Sequence, residues 1–130
     1  MSLHTALTLV EAKWLDKLSL ECQRIFQNHH IPSHDFEHHN RVWQNLKLLI
    51  TNLVNTGQSF DEKTIESLII ACFFHDTGLT RTLDEKHGSA SRDLCQAYFE
   101  SNLASRPGNL NEILYIIENH ENKNYPSGNC

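Results

Sequence analysis

Long hydrophobic runs are missing from this chain. The longest, Leu68 to Phe74, has seven residues, against the ~20 a membrane-spanning helix needs, so a membrane protein is not expected. The N-terminal stretch MSLHTALTLVEAKW lacks a basic segment followed by a sustained apolar one, and no export signal is expected. Runs of Lys or Arg are missing too. With 16 acidic residues against 11 basic ones and a formal net charge of −5, a broad footprint on nucleic-acid phosphates is not expected. A local basic pocket for a small phosphorylated ligand is still compatible, because net charge says nothing local. The four cysteines, Cys22, Cys72, Cys95 and Cys130, show no CxxC spacing. They read as reduced thiols of a cytoplasmic protein.

Alternating apolar and polar stretches and Asn-Gly hairpin signals are also absent, whereas apolar residues recur at helical spacing almost throughout. At 130 residues the chain is one domain long. The pattern predicts an all-α, single-domain bundle of five main helices. The first covers about residues 3 to 28, with Leu7, Val10, Trp14, Leu18, Cys22 and Ile25 in one stripe, and Ile31-Pro32 breaks it. The second opens after Ser33, turns Val42, Leu46, Leu49 and Leu53 inward, and ends at Gly57. A third starts near Asp61, where Ser59 and Glu62 have capping-box spacing, and Gly78 closes it. A fourth, about 87 to 104, carries Leu94, Tyr98 and Leu103 inward. A fifth opens at Asn109, with Glu112 three residues on, and carries Ile113, Leu114, Ile116 and Ile117 to His120. Trp14 and Trp43 fall among core residues.

What the chain has in plenty is histidine, nine in all. His4, His29 and His30 read as surface residues. His34, His38, His39, His75, His87 and His120 sit near helix boundaries or in polar clusters, where metal ligands are to be sought. In a bundle, side chains from facing helices can converge on an ion in the interior. His75 and Asp76 are adjacent and about 100° apart around a helix. They can flank one ion, or the carboxylate can bridge two. His34 and His38 are four apart, as in a zincin, but Asp35 stands where that chemistry needs glutamate, so the zincin reading is rejected. His34 then lies behind the ligands or faces a substrate, and His39 is expected at the surface.

HDFEHHNRV, followed about 35 residues later by an apolar run into HDTG, resembles the HD-domain superfamily of metal-dependent phosphohydrolases. His38, Arg41 and Val42 match the HxxRV element, and His75 and Asp76 match the His-Asp pair. The resemblance spans roughly residues 34 to 121 and implies an HD-like helical fold with His38, His75 and Asp76 as metal ligands. EKHGSAS resembles the element that follows the pair in small bacterial members, implying His87, and IIENHE resembles the later helix that ends in a ligand, implying His120. An exposed first-turn position is the plainer alternative for His87. The family pattern ends in an aspartate on a further helix. No aspartate follows Asp93, so the chain is expected to lack the C-terminal helix that carries it, unless Glu121 or water takes its place.

The resemblance implies hydrolysis of a small phosphorylated compound, a nucleotide or related phosphate ester, by a phosphomonoesterase or phosphodiesterase. Mixed His and Asp ligation suits one or two ions of Mn, Fe, Co, Ni or Zn better than Mg or Ca. Such an ion acidifies a water and polarises the phosphoryl oxygen, and Asp76 would orient or deprotonate that water. Arg41, Arg81 and Lys86 are the cations able to meet the phosphate. Pairing of Arg41 with Asp35, Glu37 or the Asp76 region, and a solvated loop for Arg81 and Lys86, are the plainer alternatives. A di-iron HD-type oxygenase and a non-catalytic nucleotide-binding module are the other functions compatible with the pattern. The expected partner is the small substrate, with no extended nucleic acid and no membrane, and nothing in the sequence excludes a homo-oligomer.

Overall fold

The computed structural model describes residues 2–27, 29, 36–83 and 86–120. Among these residues five α-helices follow one another: α1 (Leu3–Phe26), α2 (Phe36–Asn55), α3 (Glu62–Phe74), α4 (His87–Ser101) and α5 (Leu110–Asn119). Short 3₁₀ turns, Thr77–Thr80 and Leu103–Ser105, follow α3 and α4. No strand occurs among the described residues, and none of the described helices is long and apolar enough to cross a membrane.

The most apolar helix, α3, lies at the centre because it can. Ile65, Ile69, Ile70, Cys72, Phe73 and Phe74 are buried in different directions, and α1, α2, α4 and α5 each pack against it. A helix apolar on most of its circumference is stable only when surrounded in this way. The flanking helices contribute single stripes. On α1 the stripe is Ala6, Val10, Trp14, Leu18, Cys22 and Ile25, as the spacing predicts, with Leu7 half-buried beside it. The two tryptophans are fully buried, and each indole N–H finds a carboxylate. Trp14 Nε1 donates to Glu66 Oε2 at 2.8 Å, and Trp43 Nε1 donates to Glu11 Oε2 at 2.8 Å. Lys13 and Lys47 pair with those same oxygens at 3.1 and 2.8 Å.

Several details differ from the sequence expectation. Helix α3 is capped by Asp61, whose Oδ1 accepts from Thr64 N at 2.8 Å, and not by a box starting at Ser59. Asn109 precedes α5 without capping it, because its amide donates to Ser67 Oγ across the α3–α5 contact. Helix α3 stops at Phe74 with His75 as its C-cap, before Gly78. Gly57 does end α2, at φ 104°, in the left-handed region that glycine tolerates best. On α2 the expected Val42 and Leu46 are half-buried against the core, but the most buried line lies one residue on. His39, Trp43 and Ile50 are buried, while Leu49 is exposed. Leu103 is exposed because α4 ends at Ser101, and Ile116 lies at the rim of α5. The predicted breaks and caps at Ile31-Pro32 and Ser33 lie outside the described residues.

Candidate metal centre

Two histidines end helices in the same way. His75 is the C-cap of α3, and its Nδ1 lies 2.6 Å from the carbonyl of Cys72. His120 is the C-cap of α5, and its Nδ1 lies 2.7 Å from the carbonyl of Ile117. The last carbonyls of a helix have no partner within it. A ring N–H folded back on the carbonyl three residues earlier satisfies one of them. The same bond fixes the tautomer, with Nδ1 as donor, and leaves the Nε2 lone pair facing outward as a ligand.

Both Nε2 atoms face Asp76, which follows α3 directly. Its Oδ2 lies 3.2 Å from His75 Nε2 and 3.9 Å from His38 Nε2, the latter arriving from the first turn of α2. Its Oδ1 lies 3.6 Å from His120 Nε2 and 3.8 Å from His87 Nε2, the latter at the first position of α4. The Nε2 atoms of His87 and His120 are 3.2 Å apart. Four helices thus deliver four imidazoles around one carboxylate, two to each oxygen.

This donor set fits a cation. Without one, lone pairs of His75 and His120 would face a carboxylate oxygen, which is repulsive. Among the described residues, protonating all four rings would crowd four positive charges around the Asp76 carboxylate. With the rings of His87 and His120 centred 5.0 Å apart, two imidazoliums would repel by about 3 kcal/mol at an effective dielectric of ~20. A transition ion resolves the conflict. Ligands at ~2.1 Å in a tetrahedral shell stand roughly 3.4 Å from one another, close to the 3.2, 3.6 and 3.8 Å found among Asp76, His87 and His120. These three ligand atoms lie within 4.8 Å of one another, and the group could hold a metal ion.

The halves differ in exposure. The side chains of His38 and His75 are 24% and 17% exposed, against 11% for His87 and 6% for His120. We call them the outer and inner halves. The solvent-exposed first-turn alternative for His87 is therefore not what the structure shows.

Other candidates fall elsewhere. Arg41 is exposed one turn beyond His38 on α2, Arg81 is exposed after the 3₁₀ turn, and Lys86 is exposed next to His87. His34 and Glu121 lie outside the described residues. His39 corrects the expectation of a surface residue. It is fully buried, its ring 6.3 Å from Phe73 and 6.1 Å from His75, with His38 at 5.4 Å. The spacing 39, 43, 46, 50 along α2 carried that signal. Cys72 lies beside the centre without joining it. Burial pushes its thiol up to about 12, with the Asp76 charge adding to the effect.

Ser91 and Gly88 were not singled out from the sequence, and Gly78 only as the end of the third helix, yet they bring α4 to the site. A Cβ on Gly78 would lie 2.1 Å from the carbonyl oxygen of His87, and one on Gly88 would lie 2.5 Å from that of Glu118. The absent side chains let α4 press against the turn after α3 and against α5.

Fold and cluster together define an all-α bundle with a histidine–carboxylate group able to bind a metal ion. Among known proteins the chain matches no family model, no curated sequence and no solved structure.

Proposed function

We propose that this chain is a metal-dependent phosphohydrolase of the HD type, acting on a small phosphorylated compound such as a nucleotide or related phosphate ester. The observation that supports the reading is Asp76 ringed by His38, His75, His87 and His120, two imidazoles to each oxygen. In this reading His38, His75 and Asp76 would hold one ion, and His87, His120 and Asp76 another. Bound divalent ions supply an acidified water and a Lewis acid for the phosphoryl oxygen.

The chain's own residues have distinct parts in this reading. Asp76 gives an oxygen to each half, so its role is to hold and align the centre. The carbonyls of Cys72 and Ile117 keep His75 and His120 in the ligating tautomer. Arg41 and Lys86 belong to the helix starts that frame the cluster, and Arg81 to the segment between them. A phosphate reaching the site is expected to meet these cations. The test is phosphate release from a panel of nucleotides and phosphate esters with Mn, Co or Ni. Activity lost on His75→Ala and Asp76→Ala supports the proposal, and a wild type inert on the whole panel with metal bound opposes it.

One observation favours a second reading. Both His87 and His120 reach Asp76, and four histidines with a shared carboxylate also suit a di-iron oxygenase of HD type. Dioxygen consumption by the Fe(II)-loaded chain, without phosphate release, would select it. A chain that binds nucleotide but does neither would be a binding module.

A further inference from the structure

We infer that Ser91 is a positioning residue for the inner half of the metal centre, clamping α4 to the turn after α3 so that His87 meets Asp76. The inference rests on the metal-centre reading above.

Ser91 is fully buried. Its Oγ donates to the carbonyl of His75 at 2.8 Å and accepts from the N–H of Gly78 at 2.7 Å. Both backbone groups belong to the place where α3 gives way to a 3₁₀ turn, and a helix end leaves such groups without intrahelical partners. One hydroxyl from the neighbouring helix therefore serves both. It does so across the segment that carries Asp76, which lies between His75 and Gly78.

His87 precedes Ser91 by four residues on α4, on the same face of the helix. Fixing Ser91 against His75 and Gly78 fixes His87 against Asp76. The contact is tight on both flanks, because Gly78 faces the carbonyl of His87 and Gly88 faces that of Glu118. Metal–ligand distances tolerate only about 0.2 Å, so a small retreat of α4 removes His87 from an ion shared with His120.

The outer half depends less on this clamp, although the Ser91 hydroxyl also holds the His75 carbonyl. His38 comes from α2, and the His75 ring is oriented by the Cys72 carbonyl of its own helix. Loss of the Ser91 hydroxyl should therefore affect the two ions unequally. A merely structural role would weaken both through general loosening of the fold.

The test is calorimetric titration of the metal-free full chain with Co²⁺, with bound ions counted by elemental analysis. His120→Ala identifies the binding step that belongs to the inner half. Ser91→Ala is expected to weaken that step about 10–100-fold and to leave the other within about threefold. The control is Ser67→Ala, which removes another buried serine, one bonded to the Lys63 carbonyl and to Asn109. It should shift neither step. If Ser91→Ala does not fold, Ser91→Cys carries the same comparison, being close in size but a poor hydrogen-bonding group. Unchanged binding in the Ser91 variant, or equal weakening of both steps, overturns the positioning role. A wild type with one Co²⁺ step or none overturns the two-ion reading itself, and the positioning role with it.

Discussion

His87 and His120, 33 residues apart in sequence, aim their Nε2 atoms at each other across 3.2 Å. Neither belongs to the His75–Asp76 pair, and each comes from a different helix. They meet because α4 and α5 pack at the same end of α3, and Asp76 Oδ1 completes the group at 3.6 and 3.8 Å.

Removing one member should subtract one ion. Under the two-ion proposal, elemental analysis of gel-filtered protein loaded with Co²⁺ is expected to give two ions per chain for the wild type. His120→Ala should retain one, and Asp76→Ala, which serves both halves, should retain none. Each occupied site at a hundredfold excess of ion over Kd adds about 2.7 kcal/mol of stability. Thermal shift on adding metal should therefore be roughly halved in His120→Ala and absent in Asp76→Ala.

Gly88→Ala looks favourable by helix propensity, which gains about 1 kcal/mol. The new methyl, however, would stand 2.5 Å from the Glu118 carbonyl oxygen, a backbone atom that cannot swing aside. Overpacking of this kind costs about 1–3 kcal/mol, so the net change should be destabilising. Gly78→Ala, at 2.1 Å from the His87 carbonyl, should cost more. The midpoint of urea unfolding measures both, and a stabilised Gly88→Ala would show that α4 is not pressed on α5.

The Trp14–Glu66–Lys13 cluster separates a hydrogen bond from a salt bridge. Glu66→Ala leaves a fully buried indole N–H without its acceptor, at a cost of about 1–3 kcal/mol. Lys13 is 53% exposed at the same carboxylate, and surface pairs contribute about 0–1 kcal/mol. Glu66→Ala should lower the Tm well beyond Lys13→Ala, and equal losses would refute the ranking.

Burial raises the thiols of Cys22, Cys72 and Cys95, with Cys72 reaching about 12. They should resist an aromatic disulfide reagent at pH 8 until the chain unfolds. The linkage has a definite sign. Above the ordinary value of 9.0 the unfolded chain loses these protons while the folded chain keeps them. Stability should therefore fall as pH rises from about 9 towards 12. Cys72→Ala should flatten that slope in a series of urea titrations.

Much of the fold was legible because it follows from apolar periodicity. The stripe on α1 and the saturated apolar run of α3 are local patterns, and local patterns fix which face is buried. The His75–Asp76 pair stood out because charged groups after a core helix need partners. His39 was misread because two apolar stripes compete on α2. The tertiary contact with α3 selected the one through His39, Trp43 and Ile50 over the one through Leu49. Ser91 and Gly88 were silent for another reason. A serine bonded to backbone groups 13 and 16 residues away, and a glycine facing another helix's carbonyl, have no signature in their own neighbourhood.

The unequal exposure of the two halves has a kinetic consequence. Solvent reaches His38 and His75 more freely than His87 and His120, and the clamp between α4 and the turn after α3 closes the inner side. In the proposed two-ion reading, an ion on the inner half would leave past the outer one or wait for α4 to lift. Under a chelator the chain should lose its metal in two phases, the outer ion quickly and the inner ion at the rate of local opening. The centre would then behave as a lasting framework ion with a readily exchanged working ion in front of it.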